Sequence, residues 1–328
     1  MFSLQSIKKF FHYLLEWSIE IFIIMTFLFS GKLWFWNIFS IIPSPFFLIL
    51  AIISVVIKTF TGKFKYLIFS FFVVFLCFNI SDIHVQNLIP KDYHGQYGKT
   101  LKFVSWNTQF WQEGTSKDAF YAFLQDQKAD VYQLQEFNNA ETLTEVGKHF
   151  KGYFLDENKD VITISKYPIK THYKESHGSF MRSDINIDGK IISLYNMHLP
   201  IHLLPSLVRD PYAFLVNMKE KFETRQNIIQ ELEKNVLSNE YSYIVSGDFN
   251  STLSMGVMNA LLSKSKDSYD ASKNIYPVTW MSDGWLSLYR IDYALSSLSG
   301  LIPISYDEIA RPEFSDHKAL VVTYGLTY

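Results

Sequence analysis

The sequence predicts an α/β domain preceded by an apolar N-terminal region, and three observations predict it. From Leu101 onward, short apolar or β-branched runs alternate with stretches of helical periodicity. Polar residues able to do chemistry stand where those runs stop, which is where α/β sheets usually hold their sites. Before position 90, three long apolar runs carry almost no charge.

The apolar runs are Phe10–Ser30, Ile38–Ile57 and Phe64–Ile80. A bilayer core of about 30 Å asks for roughly 20 helical residues, so the expectation is a transmembrane region over residues 1–80, with helices at about 10–30, 38–57 and 64–80. Glu16 and Glu20 fall in the first run, four residues apart and therefore on one helical face, turned toward the other helices or the interface. A cleaved signal peptide fits that run less well, because two further runs follow and no small-residue cleavage site is present. Lys8, Lys9, Lys58, Lys63 and Lys65 flank one side of the expected spans and Lys32 alone the other. By the positive-inside rule this makes the chain a multi-pass membrane protein, with everything after residue 80 extracytoplasmic. Residues 81–100, with Pro90, Gly95 and Gly98, read as a linker.

Of the chain's 30 basic and 32 acidic residues, six lysines and three acids lie before position 91; 24 and 29 remain, a net of −5 for residues 91–328. Bulk charge therefore disfavours a general nucleic-acid binder. The single cysteine, Cys77, lies before this part, which excludes disulfides and cysteine-based zinc sites there. Strands are expected at Lys102–Trp106, Val131–Gln135, Val161–Ser165, Ile191–Met197, Tyr243–Ser246, Arg290–Ala294 and Leu320–Thr323. Helices are expected at Ser116–Lys128, Ala213–Val236 and Met255–Ser263.

Six short strings stand at strand ends: Ser105-Trp106-Asn107, Leu134-Gln135-Glu136, Asn196-Met197-His198-Leu199, Ser246-Gly247-Asp248-Phe249-Asn250, Arg290-Ile291-Asp292-Tyr293 and Ser315-Asp316-His317. They offer Asn107, Glu136 and Asp316 as oxygen ligands for a cation, an Asp248/Asn250 pair, and two imidazoles, His198 and His317. A hard, oxygen-rich set without thiolate suits Mg²⁺ or Mn²⁺. Proton chemistry near neutral pH falls to the histidines. Asp292 near His317 would fix its tautomer and orientation.

In this order the strings closely resemble the endonuclease/exonuclease/phosphatase superfamily, which includes deoxyribonuclease I-like and sphingomyelinase-like enzymes. The resemblance covers about residues 101–328, and Ile164-Ser165-Lys166-Tyr167-Pro168-Ile169 adds to it. It implies a four-layer sandwich of two mixed β-sheets flanked by helices. It also implies a metal on Glu136 with Asn107 and Asp316 nearby, Asp248 aligning or deprotonating the attacking water, and Asn250 holding a phosphate oxygen. By the same match His198 contacts the phosphoryl group, while His317, oriented by Asp292, stabilises developing charge or takes a proton. Two departures, Thr108-Gln109-Phe110-Trp111 after Asn107 and Phe137-Asn138-Asn139 after Glu136, weaken a DNA-repair assignment.

The expectation is thus a membrane-anchored, Mg²⁺-dependent hydrolase of small or lipid-borne phosphate esters, with the bilayer as its only evident partner. An extracytoplasmic nuclease is the alternative, and a non-catalytic membrane scaffold a further one that the intact polar set disfavours. His149, His172, His177 and His202 read as surface or loop residues, with bordering the cleft the alternative for His177 and His202. Trp280 and Arg225 read as packing and structural residues, and Arg182 and Arg209 as candidate phosphate contacts.

Overall fold

The computed structural model describes residues 16–328 except 94, 96, 112–115, 138–142, 203–208, 282–286 and 328. It divides into two units, Met1–Ile83 with Thr252–Val257, and His84–Ser251 with Met258–Tyr328.

In the first unit, α1 (Ser18–Phe29), α2 (Ser44–Phe60) and α3 (Leu67–Phe78) pack through Ile23, Phe47, Leu48, Ala51, Val73 and Cys77. No helix among the described residues is long and apolar enough to cross a membrane, so the expected transmembrane spans are unsupported. At about 1.5 Å per residue, helices of 12 and 17 residues reach only ~18 and ~26 Å. The physical reason lies in the backbone. Gly31, at φ +71°, follows the end of α1. The second run is broken by a 3-10 segment at Trp34–Ile41, and α2 starts only after Pro43, because proline ends or opens helices. Residues 10–15 of the first expected span lie outside the described residues.

The second unit contains two six-stranded mixed sheets. The first has the order β11-β12-β1-β2-β4-β3, with β1 (Lys99–Asn107), β2 (Val131–Gln135), β3 (Phe154–Asn158), β4 (Val161–Ser165), β11 (Leu301–Ile309) and β12 (Ala319–Leu326). The second has the order β5-β6-β7-β8-β10-β9, with β5 (Ile169–Lys174), β6 (Phe180–Ile187), β7 (Lys190–His198), β8 (Ser242–Asp248), β9 (Ser265–Asp267) and β10 (Asp292–Ser297). The pairs β1/β2 and β7/β8 run parallel; the other pairs are antiparallel.

Side-chain alternation along each strand builds the layers. Phe103, Val131, Leu320 and Val322 of the first sheet meet Ile185, Ile192, Leu194 and Ile244 of the second in a buried inter-sheet core. Their neighbours Val104, Tyr132 and Leu134 point the other way. They pack with Phe120, Phe123 and Leu124 of α4 (Lys117–Asp126) and Val146 of α5 (Leu143–His149). On the far side, α6 (Pro211–Leu237) buries Met218, Ile228, Ile229, Leu232 and Val236, and Tyr195 of β7 donates to Asn235 Oδ1 at 3.0 Å. The expected sandwich of two mixed sheets flanked by helices is therefore present.

Two local differences stand out. The expected helix at Met255–Ser263 is a 3-10 turn, Leu253–Met255, and one short α-helix, α7 (Asn259–Leu262), separated by Gly256 at φ +67°. Within the expected linker, His84 N–H donates to Ile275 O at 2.7 Å, and Asn87 Nδ2 donates to Tyr269 O and Asn274 O at 3.0 Å each. This early part of the linker is thus held on its own unit.

Candidate active site

Strand direction assembles the site. Asn107 ends β1 and Glu136 follows β2, while His198 ends β7 and Asp248 ends β8 beside the first residue of β10, Asp292. In the second sheet the register sets His198 opposite Asp248 and Asp248 opposite Asp292, so three functional residues lie in one row across three strands. Gly247 permits this: its φ is +134°, and a Cβ there would meet Met197 O at 1.9 Å. Glu136 and Asn250 both take left-handed backbone conformations, at φ +45°, uncommon away from glycine and frequent at functional sites.

The two sheets meet on Asn107. Its Nδ2 donates to Glu136 Oε1 at 3.2 Å and to Asp248 Oδ2 at 3.0 Å. Asp248 is buried and accepts on Oδ1 from Asn250 N–H at 2.7 Å and on Oδ2 from Asn250 Nδ2 at 3.0 Å. His317 Nδ1 faces Asp292 Oδ2 at 2.9 Å, and its Nε2 lies 3.9 Å from Asp248 Oδ2. His198 Nε2 stands at the same 3.9 Å from that oxygen and 3.2 Å from Glu136 Oε1. Ser315 Oγ donates to Asn107 O at 2.7 Å and Trp106 Nε1 to His317 O at 3.0 Å, tying the C-terminal string to β1.

Asp316, expected beside Asn107 and Glu136, is tied to Trp280, Gln109 and His317. Its Oδ2 accepts from Trp280 Nε1 at 2.7 Å, its N–H donates to Gln109 Oε1 at 3.1 Å, and its Oδ1 lies 3.8 Å from His317 Nε2. Among the described residues, the carboxylate and imidazole atoms that converge within 4.8 Å include Glu136, His198 and Asp248, and separately Asp248, Asp292 and His317; Asp316 is in neither set.

Electrostatics follow from burial and pairing. Burial raises Asp248, and Asp292 adds to the rise against the imidazoles, pushing its carboxyl up to about 6. Burial opposes charge on the histidines as well, but their carboxylates win. His317 rises to about 9 on Asp292, and His198 to about 10 on Asp160 and Glu136. Burial likewise opposes ionisation of Glu136, yet hydrogen bonds from His198 and Asn107 hold it below the usual range. An ionised, partly exposed Glu136 within reach of the Asp248 carboxylate supplies hard oxygen donors that fit a divalent cation. Glu136, Asp248 and Asn107 would hold it.

Sequence reasoning missed Asp160, whose Oδ2 lies 2.9 Å from His198 Nδ1. Gln109 and Trp280 were assigned no role at the site, although Trp280 packs edge-on against Tyr289 as well as holding Asp316. Arg225 is structural, as expected: buried, it donates to Pro200 O, Ser251 Oγ and, at 3.2 Å, Asn250 O, bracing the loop that carries Asn250. Arg182 spends its guanidinium on Asp184 at 3.0 Å and Asn239 at 3.0 Å. His149 stacks on Tyr121 with ring centroids 3.8 Å apart, and His172 pairs with Asp184 at 3.1 Å.

The family model described as Endonuclease/Exonuclease/phosphatase family matches residues 104–317. No curated protein matches the chain. Among solved structures, the endonuclease/exonuclease/phosphatase from Bacteroides vulgatus is 16% identical, with a TM-score of 0.51 over 70% of this chain and 100% of that one. An AP endonuclease from Archaeoglobus fulgidus is 14% identical, with a TM-score of 0.51 over 68% and 98%. Truncated Caenorhabditis elegans TDP2 is 16% identical, with a TM-score of 0.50 over 70% and 99%. At these identities the likeness is one of fold.

Proposed function

Because the chain belongs to the endonuclease/exonuclease/phosphatase family, whose members hydrolyse phosphoric esters, we propose that it is a Mg²⁺- or Mn²⁺-dependent hydrolase of small or lipid-borne phosphate esters. One observation carries the chemistry: the Nε2 atoms of two carboxylate-paired imidazoles each stand 3.9 Å from the same buried Asp248 oxygen.

Asp248, raised toward neutral pH, is the group that aligns a water and accepts its proton. His317 and His198, both held as imidazolium near neutral pH, are donors rather than bases. Placed about the reacting phosphorus, they stabilise charge on its oxygens and supply the proton that the leaving oxygen needs. Asn250, whose Nδ2 donates to Leu199 O and Asp248 Oδ2, would exchange one of these bonds for a phosphate oxygen. The divalent ion would neutralise phosphate charge and orient the ester.

The substrate class rests on charge. A long polyanion gains affinity from many lysine and arginine contacts, and the part of the chain after position 90 carries a net of −5. A single phosphoryl headgroup needs only the residues above. The test is a panel of phospholipid vesicles, sphingomyelin, inositol phosphates and plasmid DNA, offered to the full chain with Mg²⁺ at moderate salt. Headgroup or phosphate release is expected; cleavage of plasmid DNA alone decides for a nuclease.

A further inference from the structure

Beside the apolar contacts between its helices, the first unit buries one charged cluster and turns large apolar side chains outward. The only two charged residues within α1, α2 and α3 are Glu20 and Lys58, and these are buried, at 1% and 2% exposure. Lys58 Nζ pairs with Glu20 Oε1. Ser54 Oγ and Ser70 Oγ donate to the same oxygen at 2.5 and 2.7 Å, so one carboxylate draws groups from all three helices together. The outer faces carry the opposite chemistry. Phe60 is 87% and Ile68 84% exposed, and Ile53, Phe71, Phe75 and Phe27 are exposed with them.

Soluble proteins rarely leave contiguous apolar patches of this kind open to water. Inside a membrane the rule turns over: ionisable side chains face the bundle interior and pair, while apolar ones face the acyl chains. We infer that the first unit is immersed in lipid, with the outer faces of α2 and α3 against acyl chains and the Glu20–Lys58–Ser54–Ser70 cluster as its internal pin.

Lipid is favoured over a protein partner because the exposed apolar residues lie on all three helices. A second protein would cover one side, whereas a fluid apolar solvent covers every side. Charge agrees. The exposed lysines Lys32, after α1, and Lys65, before α3, lie at helix ends, where cationic side chains meet anionic headgroups. An apolar body of short packed helices needs no crossing helix to make this contact.

The inference stands apart from the catalytic reading, and its test reads no activity. The wild-type full chain, purified in detergent, is reconstituted with neutral or anionic vesicles carrying a photoactivatable phosphatidylcholine, and lipid adducts are mapped by mass spectrometry. Adducts are expected on peptides spanning Ile53–Phe60 and Ile68–Phe75, about tenfold above those over residues 99–326, with tighter vesicle association when the lipid is anionic. Labelling spread evenly along the chain overturns the inference, as does failure to float with either vesicle. Crosslinks joining residues 53–75 of two copies, in place of lipid adducts, assign the face to a homodimer instead.

Discussion

Asp160 Oδ2 lies 2.9 Å from His198 Nδ1, and Asp292 Oδ2 lies 2.9 Å from His317 Nδ1, so each imidazole flanking Asp248 has its own carboxylate behind it. The second pairing was expected from the sequence; the first was not. Asp160 sits in the two-residue turn between β3 and β4, and its carbonyl accepts from Phe137 N–H at 2.9 Å, which fixes the turn beside Glu136.

Asp160 is therefore a positioning residue for His198. Asp160→Asn should lower kcat about tenfold with little change in KM, since the imidazole stays but loses the charge that keeps it protonated. The alkaline limb of the pH–rate profile should move to lower pH. An unchanged profile would leave the contact structural only.

Gly247 gives a stability prediction. Gly247→Ala places a methyl on Met197 O in a backbone conformation that alanine resists, and should cost about 3 kcal/mol in urea unfolding. Gly189→Ala is the control: its φ of +87° is comparably strained, but no atom lies within 4 Å of the new methyl, so it should cost less.

The Asp292–His317 pair predicts a pH dependence in EDTA. The folded-state pKa of His317 is raised from 6.5 to about 9, so the pair's contribution is complete below pH 6.5 and is lost as pH rises through about 9. The difference in Tm between wild type and Asp292→Asn should accordingly be largest in the acidic part of that window and shrink toward its alkaline end. A constant difference would show that the pair does not titrate there.

Much of the site was legible because strand ends leave a local mark: apolar residues stop and a carboxylate, amide or imidazole follows. β2 and β4 were bounded as found: β4 is a short, largely β-branched run, and β2 sets Val131, Tyr132 and Leu134 among two glutamines. β3, β5, β6, β9 and β11 were not among the expected strands; β5 exposes Lys170, Thr171 and His172 with no alternation to read, and β9 is three residues long. The Asp160 contact spans 38 positions and has no local signal. Hydropathy misplaced the helix bounds in the first unit for a different reason. It counts apolar residues but not the Pro43 break or the 3-10 turns that shorten the helices, and it cannot tell that Glu20 and Lys58 face each other.

The central claim is that Glu136 and Asp248 hold a divalent cation and activate water on a phosphate ester. It is tested most directly by Mg²⁺ titration of hydrolysis in wild type, Glu136→Gln and Asp248→Asn, with isothermal calorimetry of Mg²⁺ on each. Glu136→Gln should weaken Mg²⁺ binding and cut turnover by at least about 100-fold, and Asp248→Asn should nearly abolish turnover while the protein stays folded. Turnover that survives EDTA, or either variant working at the wild-type rate, would contradict it.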